Sequence, residues 1–345
     1  MKKSVSIINT GLQLINVIEI IHHHQCTENY LIVGHFNIFP DRIKKLKEFI
    51  NDPFIKKNFK KVYFLPSGIT SKSPFRFLEY ILATLHLFFI SLFIKKPDYL
   101  FLGVYTDIYQ RAANFLFSSF NKSIELWFID EGVRILADVN HRNKVMSQEL
   151  LQKQEKTNWI INLYHAIKRK WHPPVVHFFS AHDLPVKGKD TATKNEMSYW
   201  KQNNPYVYNF EKNTIAFIGQ PLLELNLISL DTCKKYISKM LHDAGDVPIC
   251  YFPHPFETRY REFLPENITI INSVMPTELL LIGAGLKSIV GFNSTVLFNA
   301  GAAKFCSNIT SYWINPSDYL QTVNMEVANN LIKAFEKVNI KIVFL

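Results

Sequence analysis

The sequence predicts an α/β fold in two domains, each built on a parallel β-sheet with helices on both faces. In the first third of the chain, short apolar runs alternate with longer segments of helical periodicity, and the alternation returns after residue 213. Such alternation is typical of parallel sheets joined by crossover helices. The length of 345 residues also exceeds the size at which a single core stops growing. We therefore expect one domain at 1–212 and a second at 213–345.

The first domain is expected to begin with a strand at 4–9 and a helix at 12–24, whose apolar residues recur at helical spacing. Further apolar runs predict strands at 30–34, 61–65, 99–102 and 124–129. From residue 134 to residue 213 the chain is polar and irregular, and a helix is predicted there at 148–156. We interpret this stretch as a polar, helical insertion in the first domain.

The segment 77–94 is apolar enough to suggest a membrane span. Glu79 and His86 lie inside it, however, and a strand at 98–103 follows at once, so we expect a crossover helix packed on the sheet. If part of its aromatic surface is exposed, the helix could rest on a membrane with Lys95 and Lys96 among the headgroups.

The second domain is expected to open with a strand at 214–218 and a helix at 230–244. Apolar runs predict further strands at 249–252, 268–271 and 288–290. Helical patterns follow at 276–284, 296–303 and 319–338, and the chain ends in an apolar run at 340–345.

The composition limits the partners and the compartment. The net charge of +10 indicates a surface that attracts anions such as nucleic acid, acidic lipid headgroups or a phosphorylated small molecule. No helix-turn-helix, RNP-like or zinc-finger pattern is present, so nucleic acid is not the expected partner. The four cysteines show no C-x-x-C spacing, which suits reduced thiols in a cytosol. The amino terminus lacks the apolar core of a signal peptide and is interpreted as a strand.

Two short polar motifs follow apolar strands, one in each half of the chain. Asp130-Glu131-Gly132 comes after the predicted strand at 124–129, and His254-Pro255 comes after the run 248–253. Open α/β sheets bind ligands at the carboxyl ends of their strands, and both motifs contain groups that can transfer protons. A third polar pair, at residues 294 and 295, follows the strand at 288–290.

These motifs, in this order, resemble the D/E-D/E-G, HP and S/T motifs of bacterial sialyltransferases. The surrounding residues most resemble glycosyltransferase family 52, which includes lipooligosaccharide sialyltransferases; capsule polysialyltransferases share the first two motifs. The resemblance implies a GT-B fold, two Rossmann-like domains facing each other across a cleft, and an inverting transfer from the donor CMP-sialic acid. It rests on these residues: Asp130-Glu131-Gly132, His254-Pro255, Ser294-Thr295, GLQLIN at 11–16, Gly219-Gln220-Pro221 and YFPHP at 251–255.

Transfer from CMP-sialic acid requires a base for the acceptor hydroxyl. Asp130 is the first candidate, and Glu131 is a neighbour that could orient it. The alternative is that the acidic pair before Gly132 only forms a turn. Asp231 is a rival base at the start of the helix at 230–244, where it or Ser229 could equally be an ordinary N-cap.

The departing CMP phosphate requires stabilisation, for which the second domain offers several candidates. His254 is held in an extended backbone by Pro255 and could donate a hydrogen bond to the phosphate and act as general acid, or it could be a structural hydrogen-bonding group. Ser294 and Thr295 precede a helix and could bind an anion there or only cap the helix.

Two further candidates also carry alternatives. Glu278 could accept hydrogen bonds from the ribose or cytosine of the donor, or it could be a surface charge favoured by a helix dipole. Gly219-Gln220-Pro221 could allow close approach of the backbone to the donor, or it could be a plain turn.

The sequence contains no D-x-D triplet, so we expect no metal ligands and a mechanism without a metal cofactor. The expected acceptor is a terminal galactose on lipooligosaccharide or a related surface glycan, reached by a cytoplasmic enzyme at the inner membrane, with an anionic membrane surface as a partner and a homodimer as a further possibility. Alternatives are a capsule polysialyltransferase, a transferase for another CMP-activated keto sugar, and a non-catalytic nucleotide- or glycan-binding protein of the same fold.

Overall fold

The computed structural model describes residues 1–34, 40–66, 76–104, 108–130, 132, 134–152, 173–211, 213–322 and 325–345. These residues form two compact units, Met1–Tyr199 and Trp200–Leu345. The sequence placed the domain boundary after residue 212, whereas the two units divide after Tyr199. The boundary lies earlier because the segment that follows Tyr199 packs on the second unit. Within that segment the Asn204 side-chain amide donates to the carbonyl oxygens of Leu279 and Ile282 at 2.6 and 3.3 Å.

The described part of the first unit contains a parallel sheet of seven strands. The strands are β1 Lys3–Ile8, β2 Glu28–Val33, β3 Lys61–Phe64, β4 Tyr99–Leu102, β5 Glu125–Ile129, β6 His177–Ser180 and β7 Thr191–Lys194. Their order across the sheet is β3-β2-β1-β4-β5-β6-β7, so the direction of winding reverses between β1 and β4.

Helices connect these strands, and a short helix crosses the boundary between the units. They are α1 Gly11–His23, α2 Pro40–Asn51, α3 Pro53–Lys56, α4 Arg76–Phe93, α5 Ile108–Phe120, α6 Arg134–Gln152 and α7 Ser198–Asn203. Among the described helices, none is long and apolar enough to span a bilayer.

The described part of the polar stretch after residue 134, residues 134–152 and 173–211, is not an irregular insertion, which corrects the expectation from sequence. It contains α6 and the strands β6 and β7, which extend the same sheet. Both strands are only four residues long, and β7 has the sequence TATK at the edge of the sheet, with no large apolar side chain. Strands this short show little alternation, and their pairing with neighbours decides their conformation.

The described part of the second unit contains a parallel sheet of six strands. The strands are β8 Ile215–Ile218, β9 Ile249–Phe252, β10 Thr269–Ile270, β11 Ser288–Phe292, β12 Ile309–Trp313 and β13 Lys341–Phe344, and the helices are α8 Leu230–Ala244, α9 Thr277–Leu281, α10 Thr295–Ala302 and α11 Met325–Lys337. The order is β10-β9-β8-β11-β12-β13, so the winding reverses between β8 and β11. The strand β12 was not predicted from sequence.

The helix α4 packs on the sheet of the first unit, as its sequence predicted. Ala83, Leu87, Ile90 and Ile94 are buried in the same core as Phe117 of α5. These four residues follow the helical repeat and form one face. Among residues 81–93, the other large apolar side chains are exposed.

Candidate functional site

In the second unit, three motifs lie at the carboxyl ends of three adjacent strands. Gly219 follows β8, His254 follows β9 by two residues, and Ser294 follows β11 by two residues. Since β8 lies between β9 and β11, these positions share one edge of the sheet, on both sides of the point where the winding reverses. Open α/β sheets form ligand crevices at such a point. The topology therefore brings the candidates from sequence to one place.

The loop after β8 and the motif after β9 meet at a buried glutamate, Glu257. The backbone N–H of His254 donates to Glu257 Oε2 at 2.9 Å, and the hydroxyl of Tyr251 donates to Glu257 Oε1 at 2.5 Å. Gly219 fits closely against the same group, because a Cβ atom there would lie 2.2 Å from Glu257 Oε2. The packing against Glu257 therefore requires glycine at this position.

Burial raises the pKa of Glu257 to about 7. The hydrogen bonds from Tyr251 and from the His254 backbone favour the ionised form and oppose the desolvation, but they do not cancel it. The same neighbourhood raises the pKa of Tyr251 well above its ordinary value, first through burial and then through the nearby carboxylate. Glu257, whose pKa is near neutrality, is therefore hydrogen-bonded to the backbone of the histidine.

The ring of His254 has a defined orientation. Its Nδ1 accepts a hydrogen bond from the backbone N–H of Phe256 at 3.2 Å, and its ring lies 5.2 Å from the ring of Phe256, centroid to centroid. In a neutral imidazole, a nitrogen that accepts carries no hydrogen, so the other nitrogen, Nε2, is the donor. The half-buried His254 thus has the tautomer that can donate to an oxyanion.

Ser294 begins the helix α10. Its hydroxyl accepts a hydrogen bond from the backbone N–H of Val296 at 3.2 Å, and its side chain is buried. Thr295, the first residue of the helix, is half-buried. The capping role is present, and the N-terminus of a helix also favours an anion.

Glu278 is not a surface charge, which corrects one of its two interpretations. It is 4% exposed in α9, and its Oε1 accepts a hydrogen bond from the side-chain amide of Asn299 in α10 at 3.1 Å. The carboxylate therefore lies against the helix that Ser294 begins.

The other candidates of the second unit differ in exposure. Pro221 is buried, Gln220 is half-buried and Pro255 is exposed. Asp231 is exposed in the first turn of α8 and is not the N-cap; Ser229 is the cap and accepts from the Thr232 backbone N–H at 3.1 Å.

In the first unit, Asp130 follows β5 directly and is 2% exposed. Its Oδ1 accepts from the Gly132 N–H at 2.7 Å, and its Oδ2 accepts from the Ser180 hydroxyl at 2.8 Å and from the Ala181 N–H at 3.1 Å. His182 Nε2 lies 3.5 Å from the same Oδ2. The carboxylate thus joins the end of β5 to the end of β6, and Glu131 lies outside the described residues.

A second set of hydrogen bonds holds the backbone at Asp130. The side-chain amide of Asn16 in α1 donates to the Asp130 carbonyl oxygen at 2.9 Å, and Asn16 Oδ1 accepts from the Asn195 amide at 2.8 Å. Asn195 follows β7, and its Oδ1 accepts from the Met197 N–H at 2.9 Å. All of these groups are buried, so the position of the motif is determined by three distant segments.

Sequence reasoning missed several residues of these two networks. Glu257 had a recognisable signal, since it follows His254 by three residues and its N–H closes a turn onto the His254 carbonyl at 2.8 Å. Ser180 and His182 had none, because the strand β6, which ends at Ser180, was not predicted. Within the described residues, no cluster of three His, Cys, Asp or Glu side chains is arranged to hold a metal ion.

With this geometry established, the chain was compared with known proteins. Residues 4–313 match the alpha-2,8-polysialyltransferase (POLYST) family. The chain belongs to this family. It is therefore a sialyltransferase and a glycosyltransferase, in agreement with the resemblance noted from its motifs. No curated protein matches the chain.

Solved structures with the same fold include enzymes of several activities. An α/β-galactoside α-2,3-sialyltransferase from the luminous marine bacterium Photobacterium phosphoreum matches with a TM-score of 0.53 and 13% identity, over 99% of this chain and 98% of that one. The glycosyltransferase VinC in complex with dTDP matches with a TM-score of 0.50 and 10% identity, over 99% and 86%. A UDP-N-acetylglucosamine 2-epimerase matches with a TM-score of 0.50 and 10% identity, over 100% and 84%.

At these identities the likeness establishes the fold alone. The sialyltransferase has a GT-B type fold with two parallel-sheet α/β domains, as predicted. The family match, and not the fold, establishes sialyl transfer as its activity.

Proposed function

We propose that this sialyltransferase transfers sialic acid from CMP-sialic acid, with inversion, to a glycan of the bacterial surface. The observation that carries the proposal is the alignment of Gly219, His254 and Ser294 on three adjacent strand ends of the second unit. A donor that carries a phosphate meets there a histidine donor and the N-terminus of a helix, both of which favour an anion.

The proposed reaction is a single displacement at the anomeric carbon. The acceptor hydroxyl loses its proton to a base, the new carbon–oxygen bond forms, and the bond to the CMP phosphate oxygen breaks. His254 Nε2–H donates to the departing phosphate, while the N-terminus of α10 stabilises its charge. Glu278 and Gln220 are proposed to contact the nucleoside, and Pro221, Pro255 and Thr295 complete the lining of the donor site.

The base is proposed to come from the pair Asp130 and Glu131. Asp130 is buried, and three of the roughly four acceptor positions of its carboxylate are taken by hydrogen bonds. This bonding suits a residue that holds the motif in place, and we therefore propose that Glu131 takes a larger share of the proton transfer than Asp130. Asp231, exposed on α8, is the alternative base.

The proposed acceptor is a terminal galactose of lipooligosaccharide or a related glycan, reached by a cytoplasmic enzyme at the inner membrane. A second candidate is the extension of sialic acid chains by α-2,8 linkage, which the description of the matched family favours. We propose further that no metal ion is required and that the active form is a homodimer.

The function is tested with purified full-length protein, CMP-sialic acid and two acceptors, lactose and an α-2,8-linked sialic acid oligomer. We expect CMP release with at least one acceptor, unchanged by EDTA, and an inverted product by NMR. One added residue on lactose supports the galactose acceptor, and a ladder of longer oligomers supports chain extension. Absence of CMP release with both acceptors contradicts the proposed donor and acceptors.

Three variants distinguish the candidate bases. We expect Glu131→Gln to reduce kcat about a hundred- to ten-thousandfold without changing the fold. Asp130→Asn should also lower the free energy of unfolding. The carboxylate accepts three hydrogen bonds, and the amide nitrogen that replaces one oxygen would oppose at least one of these donors. Asp190→Asn is the matched control for a buried aspartate, since Asp190 pairs with Arg142 at 2.9 Å, outside the motif. Loss of activity only in Asp231→Asn would move the base to Asp231.

A further inference from the structure

The helix α4 exposes a second apolar face on the side opposite to the core. Between residues 81 and 93 it contains no Asp, Glu, Lys or Arg, and Thr84 is the only exposed polar residue there. Phe89 is 55% exposed and Phe93 is 78% exposed. The face, called here the α4 apolar face, consists of Ile81, Leu82, Leu85, Phe88, Phe89, Leu92 and Phe93.

The fold of the first unit does not require the α4 apolar face. Three residues of this helix and Ile94, directly after it, already pack in the core, so the exposed side chains could be polar without loss of packing. Contiguous apolar surface of this kind marks an interaction site in a folded protein. Phe120 of α5 is 49% exposed and extends the face, with its ring 6.4 Å from that of Phe88.

Positive charge borders the face at one end. Lys95 and Lys96 follow α4 directly, and Lys122 follows α5; all three are exposed. Two exposed acids also lie at this end, but both make internal hydrogen bonds. The Asp98 carboxylate accepts from the backbone N–H of Lys3 at 2.7 Å, and Glu125 accepts from the indole N–H of Trp127 at 3.3 Å. With three lysines against two carboxylates, the charge at this end of the face is net positive.

We propose that the α4 apolar face is the surface through which this protein docks on an anionic lipid bilayer. The helix lies in the plane of the interface, its phenylalanines and leucines enter the acyl boundary, and Lys95, Lys96 and Lys122 contact the headgroup phosphates. A protein partner would need hydrogen bonds at intervals across such a surface, and the face offers a single exposed hydroxyl, that of Thr84.

The proposed orientation has a consequence for the first unit. An α-helix of 18 residues is about 27 Å long. Because α4 is the crossover between the parallel strands β3 and β4, we infer that it runs roughly antiparallel to them. When the helix lies flat on the bilayer, the strands run along the membrane plane as well. The carboxyl edge of the sheet, which carries Asp130, then opens sideways along the membrane surface.

The test is flotation of the full-length protein with vesicles, without donor or acceptor, so its outcome is independent of the proposed reaction. We expect the protein to float with phosphatidylglycerol vesicles and much less with phosphatidylcholine vesicles. Phe89→Ser combined with Phe93→Ser should weaken binding to both by about tenfold or more. Lys95→Glu combined with Lys96→Glu should remove the preference for phosphatidylglycerol.

Matched controls change the same residue types elsewhere. Leu320→Ser with Val327→Ser removes two side chains of the second unit that are 55% and 54% exposed, and Lys234→Glu with Lys239→Glu reverses two exposed charges on α8. Both controls should float like the wild type. The proposal is overturned if the wild type stays unbound, if the phenylalanine variant floats normally, or if sedimentation shows that the face instead joins two copies of the chain.

Discussion

At the scale of single residues, His254, the proposed donor to the phosphate, is held at both its backbone and its ring. Glu257 accepts from the His254 backbone, and the Phe256 backbone donates to the ring. With Nδ1 accepting, the neutral ring carries its hydrogen on Nε2. The backbone and the ring are both held in a fixed position, which lowers the reorganisation needed during the reaction.

Replacement of His254 tests this role directly. We expect His254→Ala to lower kcat about a hundred- to ten-thousandfold, because the departing phosphate loses its donor. His242→Ala removes a histidine whose side chain is 91% exposed on α8 and should leave the rate unchanged. Steady-state CMP release and circular dichroism of both variants provide the measurement. Equal rates for His254→Ala and the wild type would remove His254 from the mechanism.

The raised pKa of Glu257 predicts how stability depends on pH. Its folded pKa of about 7 exceeds the ordinary value of 4.5, so the folded state holds this proton more tightly than the unfolded state does. The free energy of unfolding should therefore fall as pH rises from about 4.5 to about 7, and this contribution should stay constant above that range. Over this pH range the free energy of unfolding should fall by up to about 3 kcal/mol.

Glu257→Gln should remove this contribution, since an amide does not titrate. Between pH 5 and pH 8, measured by urea unfolding, the stability of the variant relative to the wild type should increase by up to about 3 kcal/mol. Glu266→Gln makes the same chemical change at an exposed position and should follow the wild type. A parallel pH dependence for the wild type and Glu257→Gln would show that Glu257 does not titrate in this range.

At the scale of elements, two serines cap helices in the second unit, but only one helix begins next to the reversal of winding. Ser294 caps α10 two residues after β11, whereas Ser229 caps α8 after a loop of eleven residues that follows β8. The two caps have the same local chemistry. Replacing each serine in turn therefore distinguishes loss of helix stability, expected at both caps, from loss of anion binding, expected only at Ser294.

We expect Ser294→Ala and Ser229→Ala each to lower the free energy of unfolding by about 1 kcal/mol, because each loses one hydrogen bond to a backbone N–H. Only Ser294→Ala should also weaken CMP binding, as measured by calorimetry. An equal loss of affinity in both variants would show that the effect comes from general destabilisation and not from the N-terminus of α10.

Elements were predicted from sequence where their periodicity was long or their apolar run was clear. The helix α8 and the strands β4 and β9 lie where they were expected, residue for residue. The strands β6, β7 and β12 were missed, since a strand of four or five residues is stabilised mainly by its neighbours. The helix α4 was identified, but its apolar character on both faces gave no periodicity that could separate core from surface.

At the scale of the whole molecule, the net charge of +10 predicts that ionic strength affects the binding of an anionic donor more than the binding of a neutral acceptor. The proposed donor, CMP-sialic acid, carries a phosphate and a carboxylate, and the screening length shortens from about 30 Å at 0.01 M to about 10 Å at 0.1 M salt. The KM for CMP-sialic acid should rise severalfold across this range, while the KM for lactose should not. Equal changes in both KM values would contradict electrostatic attraction of the donor.

The sequence by itself determined the fold class, the sialyltransferase motifs and the placement of those motifs after strands, because alternating apolar runs and short motifs are local properties of the chain. The tertiary structure alone brought Gly219, His254 and Ser294 to one edge of a sheet and packed Glu257 against Gly219 and the His254 backbone. It also bound Asp130 to Ser180, 50 residues away, and left the second face of α4 exposed. Strand order and burial depend on distant contacts, which no local pattern encodes.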